Sequence, residues 1–101
     1  MSPDHTPPGV VHLLDDEAAV RDALAFLLGS RGMTVRAFAT GPELLAAVDA
    51  TPRPLTGVFL LDIRMEPMSG LAVHEALMAR RLRNPCCSSR ATATFRWRWR
   101  R

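Results

Sequence analysis

Asp15 and Asp16 follow directly on the apolar run Val10-Val-His-Leu-Leu14, and Asp62 follows directly on a second such run, Val58-Phe-Leu-Leu61. Acids at the ends of two buried strands are chemically informative when those strands are neighbours, because all three carboxylates then share one edge of the sheet. Carboxylates that close repel unless a raised pKa or a cation relieves them, and Mg²⁺, a hard ion that keeps several waters, suits such a donor set. A carboxylate beside such an ion is able to attack a phosphoryl group and become an aspartyl phosphate. Asp15 and Asp16 read as the metal-side acids, with the main-chain carbonyl of Arg64 as a further ligand. Any one of these acids alone has an ordinary explanation, since Asp favours strand ends and helix caps. The combination of an acidic pair and a lone acid is what carries weight.

The elements that must position them alternate. Val10–Leu14 reads as a buried strand. From Glu17 to Ser30, Val20, Leu24, Leu27 and Leu28 recur on one helical face, and Gly29 and Gly32 supply the stop. Thr34-Val-Arg-Ala-Phe38 reads as a second strand. Thr40-Gly-Pro-Glu43 then combines an N-cap, a first-turn proline and a capping-box glutamate for a helix running to about Ala50. Thr51-Pro-Arg-Pro54 ends it, Val58–Leu61 is the third strand, and a loop over Ile63–Ser69 leads into a helix from Gly70 to Leu82 with Leu71, Met78 and Leu82 inward. Strand and helix alternating three times predict an α/β fold, a doubly wound parallel sheet with right-handed crossovers. Ligands in such sheets bind beyond the carboxyl ends of strands where the strand order reverses.

Length and composition bound the rest. The chain has 101 residues, room for one small domain. It has no apolar run of the ~20 residues needed to span a bilayer and no signal-peptide pattern at its start, which predicts a cytoplasmic protein without membrane insertion. The formal charge of +3 is unevenly placed. Residues 1–85 hold eight Arg against ten acids, net −2, and residues 86–101 hold five Arg and no acid. Lys is absent throughout, a bias that points to GC-rich coding DNA. Cys86 and Cys87 are adjacent, a spacing that suits neither a metal knuckle nor an unstrained disulfide. His12, in a strand, and His74, on a helix, read as packed or surface residues, and Met65 and Met68 as loop packing.

At Val11-His-Leu-Leu-Asp-Asp-Glu17 with Val20-Arg21, and at Leu61-Asp-Ile-Arg-Met-Glu-Pro-Met-Ser-Gly70, the chain resembles the receiver domain of bacterial two-component response regulators. The resemblance covers about residues 9–85 and is greatest to the branch with a LuxR-type helix-turn-helix output. It implies a flavodoxin-like fold, phosphorylation of Asp62 by a sensor histidine kinase, and Mg²⁺ held by Asp15, Asp16 and Asp62. It also implies a signalling module rather than an enzyme, with DNA reached only through an output domain that these residues do not include. An aspartyl-nucleophile phosphatase would want an acid two residues after the nucleophile, where this chain has Arg64. The Glu66-Pro67 order departs from the branch, which more often has Pro first, without changing the loop length.

The family continues with a fourth strand ending in a Ser or Thr switch and a fifth ending in a phosphoryl-contacting Lys. Neither the switch nor the Lys is in place here. The expected organisation is a leader over 1–9, a partial receiver over 10–85 lacking its last two strand–helix units, and a disordered basic tail over 86–101. That truncation would make strand three a sheet edge, impair the phosphorelay role and promote self-association through the edge. Back-translated and regrouped one base earlier, residues 86–101 can encode Val-Leu-Phe-Leu-Thr-Gly-His-Gly-Asp-Ile-Pro-Met-Ala-Val-Glu-Ala, the kind of continuation the family implies, and a following ATG codon with A as the next base would read TGA in the shifted frame. A one-base deletion after the Pro85 codon accounts for that match. The alternative is a non-functional remnant or an interaction peptide whose Phe95-Arg-Trp-Arg-Trp-Arg-Arg101 binds nucleic acid or an anionic surface.

Overall fold

The computed structural model describes residues 9–62, 69–82 and 84–88. Along the chain run β1 (Val10–Leu14), α1 (Ala18–Gly29), β2 (Thr34–Phe38), α2 (Gly41–Ala50), β3 (Val58–Leu61), α3 (Gly70–Ala79) and β4 (Cys86–Ser88). The strands form one parallel sheet in the order β2-β1-β3-β4. Register aligns Leu14 with both Phe38 and Leu61, so β1, β2 and β3 end level at their carboxyl edge. None of the helices among the described residues is long and apolar enough to cross a membrane.

Alternation along the strands divides the sheet into two faces. His12, Leu14, Phe59, Leu61 and Cys86 share one face, covered by α2 and α3. There Leu14, Leu44, Val48, Leu55, Phe59, Leu61, Val73, Leu77, Leu82 and Cys86 form the main core. A two-pronged ion pair from Arg80 Nε and Nη2 to the carboxylate of Asp49, at 2.7 and 3.0 Å, joins the ends of the two helices. Val11 and Leu13 face the other way and are buried, whereas Val58 and Cys87 on that second face are exposed. It is therefore covered over β1 and open over β3 and β4.

The start of α2 carries its predicted cap, Thr40 Oγ1 accepting from the Glu43 amide at 3.2 Å, while Glu43 Oε1 accepts from the Ala39 amide at 3.2 Å, one residue before the N-cap amide that a capping box would use. Two helix faces differ from expectation. In α3 the buried residues are Gly70, Val73 and Leu77, while Leu71 and Met78 are exposed at 47% and 49%. The stripe at i, i+3 and i+7 turns inward, and Leu71 and Met78 each stand one residue, about 100°, round the helix from it. Leu82 is buried as expected, but from the turn after α3, which passes through Arg81 at φ +64°. In α1, Val20, Leu24 and Leu28 are half-buried and Leu27 is exposed, because the helix lies over the β2 side of the sheet.

The expected loss of all strand structure after Pro85 is corrected for the first three residues of the tail. Cys86–Ser88 form a parallel strand on β3, with Phe59 opposite Cys86 and Leu61 opposite Ser88. The compositional break at Pro85 is thus not a break in the sheet. Ladder bonds are made by the backbone, so three residues extend a sheet without showing any side-chain period. The small Cys86 side chain fits a buried position in the core, its Sγ donating to the Asn84 carbonyl at 3.8 Å, and burial pushes its thiol up to about 12. Strand β3 is consequently interior, and β4 is the outer strand on that side among the described residues.

The turns entering β3 and β4 are fastened to each other. Asn84 Nδ2 donates to the carbonyls of Leu55 and Gly57 at 3.1 and 2.7 Å. Gly57 has φ +108°, and a Cβ there would collide with the Val10 carbonyl and lie 3.0 Å from His12 Nε2. Only glycine lets the two backbones approach this closely.

Candidate functional site

The strand order reverses between β1 and β3: one crossover leaves β1 for β2, and the next returns past β1 to β3. At the carboxyl end of that reversal the ladder continues one residue beyond the strands. The Asp15 amide donates to the Phe38 carbonyl at 3.2 Å and the Asp62 amide to the Leu14 carbonyl at 3.0 Å. Asp15 and Asp62 are thereby fixed side by side, both fully buried, by the same backbone pairing that builds the sheet.

Asp16 is exposed and stands on the turn into α1. One carboxylate oxygen from each of Asp15, Asp16 and Asp62 lies within 4.8 Å of the other two. The structure therefore brings together the three acids singled out from the sequence. Oxygen donors from three carboxylates, two of them withdrawn from solvent, fit a hard divalent cation that completes its shell with water. The turn itself is tied by the Glu17 amide, which donates to Asp15 Oδ1 at 2.9 Å. Arg64, expected to offer its carbonyl, and Met65 and Met68 lie outside the described residues. The helix after that loop is capped by Ser69, whose Oγ accepts from the Ala72 amide at 3.2 Å.

His12 and His74, the histidines among the described residues, are not part of that cluster. His12 is buried in mid-strand, stacked on Phe59 with ring centroids 4.8 Å apart, and its Nε2 lies 2.9 Å from the Thr56 carbonyl. His74 is half-buried on α3, and burial holds its pKa below the ordinary value. Sequence reasoning missed the parts played by Arg21 and Asn84. Arg21 Nη1 donates to the main-chain carbonyl of Asp15 at 2.9 Å. The available signal was its spacing, the start of α1 placing a long donor one turn above the strand end.

Residues 11–92 match the family model described as the response regulator receiver domain. The match runs past Pro85 into the basic tail. Over 70 residues the chain is 47% identical to the C4-dicarboxylate transport transcriptional regulatory protein DctR of Rhodobacter capsulatus, an alignment covering 69% of this chain and 34% of that protein. Among solved structures, full-length FixJ from B. japonicum superposes with a TM-score of 0.72 at 30% identity, covering 82% of this chain and 39% of that one. The structure of FixJ-N gives the same TM-score and identity, with 64% of its chain covered. The chain thus spans about a third of the length of the curated relative and about two thirds of the FixJ-N chain.

Proposed function

Because the chain belongs to the response regulator receiver family, a family of two-component signalling modules, we propose that it takes a phosphoryl group from a sensor histidine kinase onto Asp62. The observation that carries this reading is the trio of carboxylate oxygens within 4.8 Å at the switch point of the sheet. Asp15 Oδ1 is engaged by the Glu17 amide, so Asp15 serves as a fixed ligand, and Asp62 at the end of the central β3 is the nucleophile. A carboxylate oxygen of Asp62 attacks phosphorus, the bond to the donor breaks, and the donor leaves with the electron pair. Asp15, Asp16 and Asp62 would hold Mg²⁺, which neutralises charge on the phosphoryl oxygens when bound.

The 101 residues include no Lys to offer those oxygens a fixed ammonium, and removal of one preorganised donor costs on the order of 10²–10³ in rate, so these 101 residues on their own should transfer slowly. The output is transcriptional control through a domain beyond these residues, the role that the name of DctR carries. The site of action is the cytoplasm, where histidine kinases present their phosphohistidine. Incubation with acetyl phosphate and Mg²⁺ should add one phosphoryl group to the intact mass, stable in acid and labile in base. Asp62→Asn should abolish the gain, and an equal gain in that variant would overturn the assignment.

A second reading concerns residues 86–101, where five Arg stand without an acid. We propose that they are read one base out of frame, which the back-translation supports. Resequencing the codons for Asn84 to Ser88 tests it: a wild-type locus with the base restored supports the shift, and one without any related in-frame continuation sinks it. Salt-sensitive DNA binding that is lost on removing residues 90–101 would instead assign the tail a binding role.

A further inference from the structure

Among the three acids, Asp16 is the one whose place depends least on the sheet. Asp15 and Asp62 are set by ladder bonds, whereas Asp16 stands on a turn and is exposed. Its position follows from the two peptide units on either side of it. The unit after Asp16 is held through the Glu17 amide, which donates to Asp15 Oδ1 at 2.9 Å. The unit before it is held through the Asp15 carbonyl, which accepts from Arg21 Nη1 at 2.9 Å.

Arg21 is also tied to the far side of the same turn. Its amide donates to the Glu17 carbonyl at 3.0 Å, closing the first turn of α1. Glu17, the N-cap residue of that helix, makes no side-chain capping bond, so this closure falls to the backbone. One residue therefore grips the chain before Asp16 with its side chain and after Asp16 with its main chain. A rigid guanidinium is suited to the first task, since it holds its donors in a fixed plane.

We propose that Arg21 is a positioning residue for the acid cluster: its guanidinium fixes the Asp15–Asp16 peptide and so sets where the Asp16 carboxylate stands relative to Asp15 and Asp62. The proposal rests on the cation-binding reading above. Groups that orient metal ligands without touching the metal typically contribute 10–100-fold to affinity, and an effect of about tenfold is expected here.

The test is titration of the full chain with Mn²⁺, followed by the electron paramagnetic resonance of the free ion. Arg21→Met should bind about tenfold more weakly than wild type, and Arg21→Lys, which keeps a donor, should recover most of the loss. In the cation-free protein the Asp16 amide nitrogen shift should move in Arg21→Met and return in Arg21→Lys, because that nitrogen shares the peptide whose carbonyl is gripped. Wild-type affinity in Arg21→Met overturns the proposal, as does equal weakening in both variants. Should Arg21→Met lose its cooperative melt, Arg21→Leu replaces it under the same criteria. A wild-type chain that leaves the Mn²⁺ signal unchanged overturns the cation site itself, and does so before any Arg21 variant is compared.

Discussion

His12 lies in the middle of a sheet strand with its ring against Phe59 and its Nε2 at the Thr56 carbonyl, an arrangement that suits the neutral ring with the proton on Nε2. Burial holds its pKa below 6.5, the Thr56 bond opposes this, and Arg36 across the ladder adds to the lowering. The unfolded chain therefore binds a proton near pH 6.5 that the folded chain refuses, and stability rises with pH across that window. The contribution is complete above pH 6.5 and is lost as pH falls towards the folded-state value. Urea midpoints should drop between pH 7.5 and 5.5, and the drop should shrink in His12→Gln. A flat profile, or one of opposite slope, would contradict the burial argument. His74 is shifted in the same direction and adds to the slope. The acid site was legible at this scale because chain order alone puts Asp15, Asp16 and Asp62 at strand ends. Arg21 was not, because its part depends on a helical turn folding its side chain back over the strand end.

At the level of the elements, local chemistry decided how well each one could be read. The start of α2 carries its own instructions in Thr40, Pro42 and Glu43: the structure makes the predicted Thr40 cap and turns Glu43 back onto the amide one residue before it. Thr40→Ala should cost about 1 kcal/mol, measurable as a lower melting temperature, and an unchanged melt would mean that α2 does not need its cap. The inward face of α3 was misread because large apolar residues lie on both of its sides and the small Gly70 gives no hydrophobic signal. Strand β4 was illegible for a different reason: a parallel partner is chosen by a neighbouring backbone, not by the three residues' own pattern. Its existence predicts unequal cysteines. Cys86, buried with a thiol pushed up to about 12, should resist iodoacetamide in the native protein, while the exposed Cys87 reacts. Equal labelling of both would argue that β4 is not formed.

Over the whole molecule, cover is unequal. One face of the sheet lies under α2 and α3, which Arg80 and Asp49 join, whereas α1 contributes no fully buried residue and exposes Phe26 and Leu27. Helices held by few buried contacts open first, so α1 amides should exchange with deuterium well before those of β1 and β3. Exchange of α1 together with the strands would show that it is anchored more firmly than its burial implies. The strand order has a consequence for how the chain is made. Strand β1 is the first of the described elements to be translated, yet its partners are residues 34–38 on one side and 58–61 on the other. As synthesis proceeds, one edge of β1 stays unpaired until residues 58–61 have left the ribosome, and the outer edge of β3 then waits for residues 86–88, which gives chaperones a defined interval in which to hold each of them.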